Sequence, residues 1–267
     1  MISKVSLSII NRDIGHKAIL TNDGNIIIVG QTNSPGISRG NDDIWVSKIN
    51  SDGKEIWYKA YGQKNHEVGY DIVELDNGGF IVVGYRDYYN DSGKDILIIN
   101  IDSEGNKLWE KTIGSNGIHD EIAYSISKSK NYGYIICAST NSSENDWFNP
   151  QVINIDFSGN IIWNLIYNGS GLKHTRWVAT STNDGGAAIT GTTNYYAEAG
   201  NNEDAYLMKI DKNGKKLWDL AIPGGMNDWG WDIIETISGD LVLTGSTKSY
   251  GAGLYDILLA KIDIPED

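Results

Sequence analysis

One motif recurs at almost constant spacing along the whole chain. A β-type run ends in a small residue, usually with Thr two places on: Ile26–Gly30 then Thr32, Phe80–Gly84, Tyr134–Ala138 then Thr140, Ala187–Gly191 then Thr193, and Leu241–Gly245 then Thr247. The small residue falls at 30, 84, 138, 191 and 245, at intervals of 54, 54, 53 and 54. A second marker follows each time, an Asx opening an apolar run: Asp43, Asp95, Asn149, Asp204 and Asp256, with runs ending at Asn50, Asp102, Asp156, Asp211 and Asp263. Four copies continue through a turn to Gly and then Trp: Gly53 and Trp57, Gly105 and Trp109, Gly159 and Trp163, Gly214 and Trp218. A chain with this period builds one supersecondary unit five times and buries each copy against its neighbours.

Each unit carries four short strand signals separated by turn residues. In the second copy they are Tyr70–Leu75, Phe80–Tyr85, Asp95–Ile101 and Leu108–Ile113, and no segment sustains a helical period. Four-strand units of this length are the signature of propeller blades. The expected fold is all-β, a five-bladed β-propeller with four antiparallel strands per blade, forming a single domain over residues 1–267. The chain begins in a fourth strand (Lys4–Ile10) and ends in a third (Asp256–Ile262). Pairing of the N-terminal strand with the last C-terminal strand is therefore expected to close the ring and remove its open edges.

Composition narrows the function classes. With 35 acidic and 22 basic residues the net charge is −13, which disfavours nucleic acid and anionic membranes. The one cysteine, Cys137, sits in an apolar run, so no intrachain disulfide forms and burial is expected. No stretch reaches transmembrane length, and Met1–Ile10 lacks the apolar core of a signal peptide. A soluble monomer without membrane insertion and without cofactor is expected.

The string Asp204-Ala-Tyr-Leu-Met-Lys209-Ile-Asp211-Lys-Asn-Gly214-Lys-Lys-Leu-Trp218 resembles the bacterial β-propeller repeat family. That family's pattern is Asp, an apolar strand, Lys-x-Asp, x-x-Gly and Trp, then a strand ending Gly-x-Thr. The Gly-x-x-x-Trp portion is also similar to the tryptophan motif of quinoprotein propellers. The third copy departs from the pattern, with Asn149 and Asn154 in place of Asp and Lys. The resemblance implies a propeller scaffold, and an extracellular or cell-surface setting, without implying an active site.

Symmetry separates scaffold from site. The repeated tryptophans are expected to pack between blades. The Asx-x-x-Gly turns lack the further carboxylates of a calcium loop and read as Asx turns with Gly at positive φ. An acidic column recurs twelve residues before the second glycine position, at Asp13, Glu67, Glu121 and Asp228, with His174 in the fourth copy. It is expected to hold structure rather than do chemistry.

What varies between copies gathers on one face. The loops between second and third strands are long there and carry Tyr88, Tyr89, Trp147, Tyr195, Tyr196 and Tyr250. Loops on a rigid scaffold commonly carry binding residues. The inter-blade segments of the same face hold all four histidines, His16, His66, His119 and His174, with the nonrepeated Trp177, Trp229 and Trp231 beside Asp228. The fourth copy has Arg176 where the others have Gly15, Gly69, Ala123 and Gly230. One expectation is that Arg176 reaches a central opening and meets the acidic column, as a structural ion pair or a ligand contact. The histidines show no metal-ligand spacing, and no metal is expected.

Aromatic rings with Asn, Asp, His and Arg suit sugar faces and hydroxyls. The leading expectation is a noncatalytic, lectin-like module that binds carbohydrate through the variable face. A protein ligand would use the same aromatic and arginine anchors. The alternatives are a glycoside hydrolase using Glu67, Glu121 and Asp228 as funnel carboxylates, or a structural protein-interaction propeller.

Overall fold

The computed structural model describes residues 12–39, 41–88, 93–114, 119–129, 133–142, 148–168, 176–194 and 202–264. The named elements are all strands, arranged in five antiparallel sheets. No helix is long and apolar enough to cross a membrane. The first sheet holds β1 (Asp13–Leu20), β2 (Ile26–Thr32), β3 (Asp43–Ile49) and β4 (Glu55–Tyr61) in sequential order. The second holds β5 (His66–Glu74), β6 (Phe80–Asp87), β7 (Lys94–Ile101) and β8 (Lys107–Ile113). The third holds β9 (Glu121–Ser129), β10 (Gly133–Thr140), β11 (Asn149–Ile155) and β12 (Ile161–Ile166). The fourth holds β13 (Val178–Ser181), β14 (Ala187–Thr193), β15 (Asp204–Ile210) and β16 (Lys216–Ile222), and the last β17 (Asp228–Glu235), β18 (Leu241–Thr247) and β19 (Asp256–Ile262). The five sheets of three or four strands match a propeller. The expected strand Lys4–Ile10 lies outside the described residues.

The chain divides into two compact units, Met1–Ala123 and Tyr124–Asp267, with the boundary inside β9. In the first unit, two sheets pack through Ile27, Val29, Ile44, Val46, Phe80, Val82, Leu97 and Ile99. Trp57 lies across the seam. Its Nε1 donates to the carbonyl of Ser103, while the Tyr61 hydroxyl donates to that of Gly105. The second unit repeats the device, with Trp163 Nε1 donating to Lys212 and Tyr167 to Gly214. These tryptophans join neighbouring sheets. Cys137 is fully buried in the core cluster of this unit, and burial pushes its thiol pKa up.

The glycine that marks each copy has a steric cause. A Cβ on Gly30, Gly84 or Gly245 would lie 1.8 Å from the carbonyl oxygen of Ile14, Val68 or Trp229. The innermost strand bulges at that point, with His16, Tyr70 and Trp231 as the extra residues. The bulge breaks the two-residue alternation, which explains why the second copy's first strand begins at His66 and not at the expected Tyr70.

The outer turns are Asx turns. Asp102 Oδ1 accepts from the amides of Glu104 and Asn106, and Gly105 has φ 77°. The repeated lysines tie the opposite turns: Lys48 to Asp23 at 2.6 Å, Lys209 to Asp184 at 2.7 Å and Lys261 to Asp240 at 3.0 Å.

The last sheet differs from the others. Ile257 and Leu259 are 84% and 71% exposed, whereas their counterparts Ile44, Ile96 and Ala205, and Val46, Ile98, Val152 and Leu207, are at most 1% exposed.

Candidate functional site

The acidic column is engaged wherever its partners are seen. Asp13 accepts hydroxyl bonds from Thr32 and Ser34. Glu67, fully buried, accepts from Arg86 Nε at 2.8 Å, and Arg86 Nη2 reaches Glu110 at 3.2 Å. Burial raises the Glu67 pKa against the pull of that guanidinium. Glu121 is buried at the start of β9. Asp228 is buried and accepts from the Ser249 hydroxyl at 2.6 Å and, more weakly, from its amide. Asp13, Glu67 and Asp228 lie at or next to the start of the inner strand, opposite the end of the second strand, as the pairs Asp13 with Thr32, Glu67 with Arg86 and Asp228 with Thr247 make clear.

In the first unit the structure gathers two of the expected histidines into one chain of contacts. His16 is exposed, meets Gln31 Oε1 at 3.2 Å and lies 4.9 Å from the Tyr70 ring. Tyr70 and Tyr85 are 6.0 Å apart, and His66 meets the Tyr85 hydroxyl at 3.0 Å. The other nitrogen of His66 stands 3.3 Å from Asp42, whose carboxylate also accepts from Arg12 at 2.5 Å and Gln31 at 3.0 Å. Lys94 sits over the Tyr85 ring and pairs with Asp120 at 3.0 Å. His119 is half-buried beside Asp120, with its carbonyl against Gly93. The charges of this surface are met from within the unit.

The second unit places the nonrepeated tryptophans in different roles. Trp177 is fully buried against Gly191 and edge-on to Tyr206, with Nε1 donating to the Phe148 carbonyl. Its ring fills the space that the bulged backbone takes beside Gly30, Gly84 and Gly245, so the fourth sheet substitutes an indole for a bulge. The preceding Arg176 is exposed and lies 5.7 Å from the Tyr124 ring, a cation–π contact in place of the expected meeting with the acidic column. Trp231 is 40% exposed and donates to Ser246. His174, Tyr89, Trp147, Tyr195 and Tyr196 lie outside the described residues.

Trp229 stacks on Tyr255 at 5.5 Å, with Lys248 4.4 Å from the Tyr255 centroid and Glu203 accepting the indole N–H at 2.7 Å. On the same variable face, an open cavity of about 770 Å³ is lined by Asp204, Leu220, Ala221, Pro223, Gly224, Gly225 and Tyr250. Its rim is fixed. The Tyr250 hydroxyl donates to the Pro223 carbonyl, Asn202 to that of Gly225, and Ser249 holds both Met226 and Asp228.

Asp204 forms the cavity's polar end. It is 2% exposed and its Oδ1 has no hydrogen-bond partner. Burial raises its pKa, the Gly224 amide opposes the rise, and the charge of Asp228 adds to it. Sequence symmetry had placed Asp204 among the scaffold markers. The available signal was the run Pro223-Gly224-Gly225, where Tyr61 and Ile113 are each followed by one glycine, Gly62 or Gly114. Among the described residues, no group of three or more His, Cys, Asp or Glu is placed to hold a metal ion.

Among solved structures, the chain is similar to an endo-arabinase from Bacteroides thetaiotaomicron, at 10% identity over 93% of each chain with a TM-score of 0.51. The Dos1 propeller aligns at 11% identity and a TM-score of 0.49, over 88% of this chain and 52% of that one. The WD40 domain of Neurospora crassa Pan2 aligns at 13% identity and 0.45, over 87% and 75%. At these identities the likeness is one of fold, that of the β-propellers. No family model matches the chain, and no curated protein matches it.

Proposed function

We propose that the chain is a noncatalytic binding module that takes carbohydrate on its variable face. The observation that carries this is the open cavity between Tyr250 and Asp204, with the Trp229–Tyr255 stack on the same face. A ring face for stacking and a carboxylate for a hydroxyl or amine are the two things a saccharide site needs. Sites of this kind combine a mostly apolar wall with a few placed polar groups, and Leu220, Ala221 and Pro223 provide the wall. Within the same unit the exposed Arg176 is a secondary contact, while His16, His66 and His119 are proposed as ligand contacts of the first unit's own surface. Trp177 is left to the core.

The hydrolase alternative draws on Glu67, Glu121 and Asp228, each at most 2% exposed. Glu67 is paired with Arg86 and Asp228 accepts from Ser249, so both carboxylates are engaged within the fold. A protein-interaction role would use the same aromatic residues as anchors.

In fold, the proposal is one closed five-bladed propeller over residues 1–267, with Lys4–Ile10 supplying the fourth strand of the last sheet. Support comes from the last sheet, in which three strands are described where the other four sheets have four.

A glycan array and an aryl-glycoside assay test the function together. Binding of at least one glycan class with no turnover is expected. Turnover abolished by Glu121→Gln, with no glycan bound, would replace the module with a hydrolase.

A further inference from the structure

Among the described residues, two pairs of buried carboxylates contrast. Glu67 has Arg86, and Asp42 has Arg12 and His66. Asp204 and Asp228 are as deeply buried, at 2% and 0%, and the charge of Asp228 raises the cost of ionising Asp204. Among the described residues neither forms an ion pair, and Asp228 is held by Ser249. A pair of buried carboxylates without a cation is costly unless something supplies the positive charge. Only one of the two, Asp204, borders open space, and the unpartnered Oδ1 belongs to it.

We infer that the cavity beneath Tyr250 recognises a primary ammonium group, and that its ligand is an amino sugar with a free amine. The inference rests on the carbohydrate proposal and names the sugar class that proposal leaves open. The Asp204 carboxylate at the cavity wall accepts a charge-assisted hydrogen bond from the ammonium, and the charge of Asp228 adds attraction. The remaining lining, Leu220, Ala221, Pro223 and the Tyr250 ring, offers apolar contact to the sugar's C–H face and no cation to repel the amine. The volume of about 770 Å³ lies in the range of small-molecule sites. The net charge of −13 draws in a polycationic oligosaccharide and slows its loss at low salt. An N-acetylated sugar carries a neutral amide in place of the ammonium, so acetylation removes the charge assistance.

Calorimetric titration of the full chain with the glucosamine tetramer and with its N-acetylated counterpart tests this. A charged hydrogen bond of this kind corresponds to about 10- to 100-fold in affinity, so the free-amine tetramer is expected to bind tighter by that factor. Asp204→Asn is expected to erase the difference while leaving the acetylated tetramer unchanged. Gly225→Trp provides a second variant, because Gly225 lines the cavity and a Cβ there meets nothing within 4 Å, which leaves room for a large side chain at the cavity wall. It is expected to abolish binding of the free-amine tetramer with an unaltered circular dichroism spectrum. Equal binding of the two tetramers, with no effect of either variant, overturns the amine inference and leaves carbohydrate binding standing. Tight calcium binding lost in Asp204→Asn, with no amine preference, reassigns the carboxylates to a metal. If neither these tetramers nor any glycan on the array binds, the carbohydrate proposal itself fails.

Discussion

Two cavities, one in each compact unit, show how differently the same repeat can treat a carboxylate. The first unit has an opening of about 330 Å³ on the face of short turns, lined by Asn22, Asp23, Lys48 and Glu74 among others. Asp23 is paired with Lys48 at 2.6 Å and Glu74 accepts the Asn22 amide at 2.8 Å. The same arrangement recurs in the second unit, where Lys209 meets Asp184 and Glu235 accepts from Asn183. A feature that recurs with its charges matched is scaffold. The variable-face cavity of the second unit has the opposite character: among the described residues the buried Asp204 and Asp228 form no ion pair, and Asp204 lines an open space. Matched charge therefore marks what holds the fold, and the unmatched pair marks where we propose that a ligand contributes.

The comparison breaks most visibly at Glu67. Arg86→Met leaves a fully buried carboxylate unpaired and is expected to cost about 3–5 kcal/mol. Thermal denaturation should register this as a fall of about 10 °C. Adding Glu67→Leu should recover most of it, since an apolar pair replaces a buried ion pair at little cost. If Arg86→Met melts with the wild type, the ion pair is not structural.

Removing charge at Asp204 is expected to act in the other direction. Its folded pKa is raised, chiefly by burial, so the ionised form is disfavoured in the fold and the penalty is present above the folded pKa. Asp204→Asn should therefore stabilise the protein at pH 7 by about 1 kcal/mol, while removing the amine preference. The gap should narrow as the pH falls through the folded pKa and wild-type Asp204 takes up its proton. A destabilised variant at pH 7 would put Asp204 with the scaffold.

The smallest effect belongs to the paired turns. Asp23 is held below the usual carboxylate range, first by the Lys48 hydrogen bond and then by Thr21. Asp23 is half exposed, so Lys48→Met should cost no more than about 1 kcal/mol at pH 7. A depressed carboxyl contributes stability above its unfolded pKa and loses it as the pH falls through the folded value. The difference between variant and wild type should therefore start to close below about pH 4. A difference that is constant from pH 7 to pH 2 would mean that Lys48 acts through packing alone.

Much of this was legible in the sequence. The period located the five sheets, because the close approach at Gly30, Gly84 and Gly245 allows little else and the Trp57 and Trp163 seams need an aromatic at one place per copy. The inner strands were less legible, since a bulge at His16, Tyr70 or Trp231 reads as the end of an alternating run. Trp177 looked like a surface aromatic because its position differs from copy to copy, yet it fills a gap left by a missing bulge. Asp204 was hidden for the converse reason. It is a repeated residue, and subtraction by symmetry discards it, although its surroundings are not repeated. Its environment is set by the Pro223-Gly224-Gly225 segment and by Tyr250, which come from two other loops. Charge matching is a three-dimensional property, and no spacing along the chain reports it.

The most direct test of that account is the titration of the Asp204 carboxyl carbon by NMR, with and without the glucosamine tetramer. The account predicts a pKa above the ordinary aspartate range in the free protein, brought down when the amine is bound. An Asp204 that titrates at or below the ordinary value, and does not move on adding the tetramer, would contradict it.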